Sequence, residues 1–369
     1  MSEEAAGSSA ANRRSAGTRF SWALLIFSAI LLGAEITARL DDALFHAVPF
    51  FANPRDDDLT TRDWFGRHGR AHGQFGKWRL NNLGFRGPDI SVERTPGCAR
   101  IVVMGASETF GYLESPGHEY PNLLAEKLAP RGCVEVVNAA IVGMGLGSMK
   151  PYWAHWVARL RPDVVLIYPS PEFYLANTAV QQAPASPPLP EAAVDHPFES
   201  RFINRLRAVI SAAIPKWVNT YRKERQVRAK LAALPAATPE IDSPPPADLA
   251  AFGRELNDLV ESIRGSGPLV VLLTHAQRAS WPIERRDLPD LWGARFWSPT
   301  AALPVFVEFD RAANLIIKET ARQQTVQLID AADVLNGRFD CFGDLIHFND
   351  KGAEIMASLI AQTVRIPSP

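Results

Sequence analysis

Five short apolar runs recur along the chain: Arg100–Gly105, Val134–Asn138, Asp163–Tyr168, Leu269–Thr274 and Val326–Asp330. Each is aliphatic or β-branched at successive positions, the pattern of strands buried on both faces. Helical spacing of apolar residues between them predicts helices near 119–130, 148–160, 247–265 and 305–323, with a last one over 350–364. Alternation of strand and helix implies a parallel sheet with helices on both faces, here a three-layer α/β/α sandwich of about five strands.

The alternation is interrupted over 179–246, where Pro184, Pro187, Pro188 and Pro190 open an insertion and Pro244, Pro245 and Pro246 close it. Inside it, apolar residues from Phe202 to Tyr221 recur at helical spacing. The opposite face is basic, with Glu224 the only acid among residues 201–231. Pro215 is expected to kink or split this helix. Such a helix can pack on the chain's own core, cap the active site, dock an envelope partner or lie on anionic lipid headgroups.

The N-terminus has its own pattern. Residues 1–19 read as a disordered tail carrying Arg13, Arg14 and Arg19, and residues 20–40 as a membrane segment. The uncharged stretch 20–34 is short for a span of about 17–25 residues, and reaches that length with Glu35 and Arg39 at the far interface. An uncleaved signal anchor, a cleaved signal and a buried helix are the alternatives; no small-x-small cleavage site stands out. Arginines before the segment and Asp41 and Asp42 after it orient the body outside the cytoplasm. The reading is a single-pass protein of the inner membrane with a periplasmic domain. That domain would comprise a lead-in over 41–99 and two halves, 100–178 and 247–369, around the insertion. The lead-in either packs on the domain or forms a lid or rim.

Composition narrows the function. The 369 residues carry a formal net charge of −1, which gives no global basis for nucleic-acid binding. Gly143-Met-Gly145-Leu-Gly147 lacks the spacing of a dinucleotide-binding loop, and no His/Cys/Asp/Glu group has metal-ligand spacing, so neither a cofactor nor a metal is expected. Cys98 and Cys133 each precede a strand, at the same edge of the sheet if those strands are neighbours. They form either a disulfide, in an oxidising compartment, or two unrelated buried residues.

The chemistry is expected where the first run breaks into Gly105-Ala106-Ser107. A serine at the carboxyl end of a parallel strand, followed by a turn and a helix, lies where open α/β sheets place their ligands. Ser107 is the candidate nucleophile. A hydroxyl needs a neighbouring base to lose its proton, and His347, three residues after Asp344, is the candidate. The other histidines, His275 among them, read as packing or surface residues.

Three blocks in order carry a resemblance. Gly-Ala-Ser-Glu-Thr-Phe-Gly at 105–111, Asn138-Ala-Ala-Ile-Val-Gly143 and Asp-Leu-Ile-His-Phe-Asn-Asp-Lys-Gly at 344–352 resemble the first, second and last blocks of the SGNH, or GDSL-like, hydrolases. Asn82-Leu-Gly-Phe-Arg-Gly87 resembles a lead-in of membrane-anchored bacterial members. The resemblance spans roughly 80–178 and 266–364. It implies a Ser107–His347–Asp344 triad, backbone oxyanion donors at Ser107 and Gly143, and an asparagine side chain as third donor. The chain departs from the pattern there, because Tyr168-Pro-Ser-Pro-Glu172 puts Pro171 where that asparagine is expected. Asn177, Ser170 or Tyr174 is the candidate substitute. The resemblance further implies an esterase or O-acyltransferase acting on acetyl esters of envelope or exported polysaccharide. Trp153, Trp156, Trp281, Trp292 and Trp297 are then candidate sugar platforms, with the loop 280–299 preferred. The alternative is a binding or scaffold subunit that keeps the fold without turnover.

Overall fold

The computed structural model describes residues 4–46, 50–51, 59–175, 200–214, 216–235 and 238–367. They fall into two units, Met1–Pro54 with Ala193–Ile214, and Arg55–Ala192 with Pro215–Pro369.

The first unit is helical. One helix runs Glu4–His46, so the tail expected to be disordered is helical from Glu4 onward. The Ala-rich composition of that tail favours continuation of the helix. Within it, Ser21–Leu44 is long and apolar enough to cross a membrane, and Trp22, Leu25, Phe27, Ile30 and Leu32 stand exposed. Helix Arg201–Ala213 belongs to the same unit, N-capped by Ser200. Glu35 accepts hydrogen bonds from the Ser200 hydroxyl (2.7 Å) and the Phe202 amide (3.0 Å), and Arg201 bonds Asp42 at 3.0 Å.

The second unit is built on a sheet. Its first four strands make two antiparallel hairpins in the lead-in, β1 (Thr60–Asp63) with β2 (Gly66–Gly69) and β3 (Gln74–Phe75) with β4 (Trp78–Arg79). The central strands are β5 (Ala99–Gly105), β6 (Val134–Asn138), β7 (Val164–Tyr168), β8 (Leu269–Leu273) and β9 (Gln327–Ile329). They lie in the order β6-β5-β7-β8-β9, all parallel. This is the expected α/β/α sandwich, with the winding reversing beside β5. Period-two alternation sends Val102 and Met104 to one core, and Ile101 and Val103 to the other. On the first face lies helix Pro246–Arg264, burying Phe252, Leu256, Leu259, Val260 and Ile263 along one stripe. Helix Leu303–Gln323 packs beside it, and Tyr120–Leu128 and Asp350–Thr363 cover the other face.

Two expectations are redrawn. The helix expected over 148–160 is regular only over Leu146–Tyr152, then continues as a π turn, Trp153–Val157, and a 3₁₀ turn, Ala158–Leu160. Pro151 lies inside it and has no N–H to give, which removes one regular helical bond. The basic helix expected over 201–231 is two helices, Arg201–Ala213 and Lys216–Ala232, assigned to different units; Pro215 itself lies outside the described residues.

Cys98 and Cys133 form a disulfide, with Cα atoms 4.6 Å apart. The bridge sits one residue before the paired Ala99 and Val134. The lead-in is fastened by a close backbone crossing: a Cβ on Gly69 would strike the Gly84 carbonyl, and one on Gly84 the Gly69 carbonyl. At Gly84 φ is +83°, which also favours glycine.

Candidate active site

Ser107 opens the four-residue helix Ser107–Phe110 directly beyond β5. The turn is tight because Gly105 has no side chain; a Cβ there would run into Thr109. Asp344 and His347 come from one loop pinched shut by the Phe342–Phe348 bridge and by the Gly343 amide donating to the His347 carbonyl at 2.9 Å. Asn349 follows as N-cap of the last helix, its side chain accepting from the Gly352 amide. Gly352 is packed so closely on the Cys341 carbonyl that a Cβ would collide with it.

The three residues are brought together. His347 Nε2 lies 2.8 Å from Ser107 Oγ, and His347 Nδ1 lies 2.8 and 3.0 Å from the two Asp344 oxygens. The backbone amides of Ile346 and His347 donate to Asp344 Oδ1, which fixes the carboxylate. Burial works against an imidazolium at His347, but the hydrogen bond and charge of Asp344 outweigh it. Glu108 and Glu172 add to this, and the ring is held above its ordinary value.

Ser107 and Gly143 line one cavity of about 820 Å³. Gly143 has φ +72°, a conformation that suits glycine. Trp78 and Leu80 of the lead-in also line it, as do Asn219, Thr220 and Lys223 of helix Lys216–Ala232. The lead-in therefore both packs on the domain and contributes to the rim. The second half of the insertion walls the cavity, with Val227 fully buried and Lys223 and Lys230 over the Phe296 ring.

Two candidate third donors are committed elsewhere. The Ser170 hydroxyl donates to Glu108 at 2.6 Å, and the Tyr174 hydroxyl donates to Glu255. Asn177 lies outside the described residues. Among the tryptophans, Trp153 is buried in the core, which removes it as a sugar platform, whereas Trp297 lines the cavity and is 70% exposed. The loop that carries Trp297 is mostly helical, over Leu288–Arg295.

Beneath the triad lies a network that sequence reasoning missed. Glu108, fully buried, accepts from Ser107 Oγ (3.1 Å) through one oxygen and faces His275 Nε2 (3.2 Å) through the other. His275 Nδ1 bonds Asp310, and Asn314 clamps His275 through both its backbone N–H (2.7 Å) and carbonyl (2.8 Å). Glu172, one residue beyond Pro171, has its Oε2 3.9 Å from His275 Nε2. Burial opposes charge on Glu108 and His275, but their mutual contact, with Asp310 on the imidazole, holds the carboxyl low and the ring high. Burial and the nearby charge of Glu108 push Glu172 up. Glu108, Glu172 and His275 each offer a ligand-type atom within 4.8 Å of the others. Local spacing did not reveal this group, since these residues follow three different strands. One signal was available: His275 stands two residues past the end of β8, where α/β sheets place their sites.

No protein-family model matches the chain, and no curated protein does. Solved structures it is similar to include an acetylxylan esterase from Geobacillus stearothermophilus, 14% identical over 72% of this chain and 93% of that one, with a TM-score of 0.41. A lipase/acylhydrolase from Enterococcus faecalis is 16% identical over 73% and 98% of the two chains, with a TM-score of 0.41. A GDSL-like lipase from Bacteroides thetaiotaomicron is 13% identical over 71% and 86%, with a TM-score of 0.39.

Proposed function

We propose that this protein is an SGNH-type serine hydrolase or acyltransferase acting on esters of carbohydrate, held at the inner membrane by Ser21–Leu44 with its catalytic unit in the periplasm. The observation that carries the reading is the continuous Ser107–His347–Asp344 relay, with 2.8 Å at both links, on the wall of a cavity large enough for a sugar ester. Ser107 Oγ attacks the acyl carbonyl while its proton passes to His347 Nε2, and Asp344 steadies the imidazolium. The oxyanion faces the backbone N–H groups of Ser107 and Gly143. Collapse expels the alkoxide, which takes the proton back from His347 and leaves an acyl-serine. Water, or a second sugar hydroxyl, then gives its proton to His347 and takes the acyl group. Trp297 at the rim supports a sugar-stacking role. The exposed Ile203, Leu206, Val209 and Ile210 of the first insertion helix support contact with lipid.

The test is a fluorophosphonate probe on the full chain in detergent. The native protein is expected to label, and Ser107→Ala to lose the label while keeping its unfolding midpoint. A folded native protein that stays unlabelled overturns the enzyme reading. It would favour a binding subunit, the reading that Pro171 in place of the amide donor supports.

A further inference from the structure

The Glu108–Glu172–His275 group has three properties that a hydrogen-bonded packing cluster lacks. Glu172 has a partly exposed stem, yet both of its carboxylate oxygens are shut off from solvent and find no hydrogen-bond donor on any other described residue. Two buried carboxylic oxygens without a donor are costly unless something positively charged sits between them and their neighbours. His275 presents Nε2 to two carboxylates at once, at 3.2 and 3.9 Å. Its other nitrogen is fixed by Asp310, which Asn314 in turn holds at 3.1 Å. A carboxylate on one imidazole nitrogen, with the second nitrogen aimed at oxygen ligands, is how metal-binding histidines are oriented. The arrangement points the same way: the carboxyl groups of Glu108, Glu172 and Asp310 all face the one imidazole.

We propose that Glu108, Glu172 and His275 form a binding site for a divalent first-row transition cation next to Ser107. Ligand atoms around an ion bonded at about 2.0–2.2 Å lie roughly 3–4 Å apart, which the His275 distances match. The imidazole nitrogen favours Zn²⁺, the two carboxylates also suit Mn²⁺, and Mg²⁺ and Ca²⁺ prefer all-oxygen sites. The three protein ligands leave coordination positions open, and Glu172 and His275 line the same cavity as Ser107 and Gly143. The ion would therefore sit by the loop after β7, where Pro171 stands in place of the expected asparagine, and would supply positive charge to the oxyanion side of the cavity. It also draws on Glu108, which shares the Ser107 hydroxyl with His347. A metal-bound Glu108 is a weaker acceptor, so the serine proton is left to His347.

The experiment is a titration of the full chain, stripped by chelator and held in detergent, with Zn²⁺ and in parallel with Mn²⁺ and Mg²⁺. Binding is read by calorimetry, by metal content and by the unfolding midpoint. One Zn²⁺ or Mn²⁺ per chain is expected, with a raised midpoint. Glu172→Gln should bind at least about tenfold more weakly, and Asp310→Asn about 10–100-fold more weakly through the misplaced imidazole. A folded native protein that binds neither ion, or a Glu172→Gln variant with unchanged affinity, overturns the site. Ser107→Ala serves as the separate control. It should lose the probe label yet still take up one ion per chain, so loss of probe labelling and loss of the metal report on different claims.

Discussion

Glu114 offers the sharpest test of how the lead-in and the nucleophile block fit together. Its side chain is 1% exposed, accepts one hydrogen bond from the Leu113 amide at 3.0 Å, and leaves Oε1 without a hydrogen-bond partner among the described residues. Lys77 reaches the Glu114 backbone carbonyl at 2.6 Å, so its ammonium is not spent on the carboxylate. Burial, only partly opposed by the backbone amides of Glu114 and Leu113 and by His347 and Lys77, raises the carboxyl from 4.5 to about 8. The folded chain thus keeps a proton that the unfolded chain loses near 4.5. Stability is full below that value, falls as pH rises, and levels off above about 8. At about 1.4 kcal/mol per pH unit, the interval corresponds to about 5 kcal/mol as an upper bound. Glu114→Gln imitates the protonated acid at every pH. Urea unfolding of both proteins at pH 5 and pH 8.5 should give similar midpoints at pH 5. At pH 8.5 Glu114→Gln should be more stable, by about 3–5 kcal/mol. A difference that does not change between the two pH values would refute the burial argument.

Two further outcomes follow from the site and the sheet. Because His347 must be neutral to accept the Ser107 proton and is held above its ordinary 6.5, probe labelling should fall on acidification with an inflection above that value. Asp344→Asn removes the main raising partner, so its inflection should move down and its plateau rate drop by about 10³–10⁴-fold; an unmoved inflection in stopped-flow labelling would contradict the assignment. Replacing Cys98 and Cys133 together by serine opens a loop of sequence separation 35. Loop-closure entropy then predicts a loss of about 3–4 kcal/mol in denaturant unfolding, with the labelling rate of the folded protein unchanged.

The sheet was legible because burial on both faces leaves unbroken aliphatic runs, and β5 to β9 lie where those runs stand. Ser107, Asp344 and His347 were legible because a nucleophile at a strand end and a base three residues from its acid are local patterns. The Glu108, Glu172, His275 and Asp310 network was not, since its members are far apart in sequence and meet only through the order of β5, β7 and β8. The hairpin of β1 with β2 was missed for another reason. Gly66, Gly69, Gly76 and Gly84 break any apolar period in the lead-in, and the chain is held by backbone crossings instead. The continuation of the first helix to Glu4 was missed because small polar residues read equally well as tail or as helix.

Helix Lys216–Ala232 lends Asn219, Thr220 and Lys223 to the cavity, whereas the Ser107–His347–Asp344 relay comes from the end of β5 and the 344–347 loop. On the proposed mechanism, proton transfer belongs to the sheet ends and the 344–347 loop, and the choice of what enters to an inserted cassette. The two can drift independently. Grafting a different insertion between the same sheet ends should redirect substrate preference while leaving the intrinsic reactivity of Ser107 where it was. Relatives with this catalytic core are expected to diverge first, and most, in that wall.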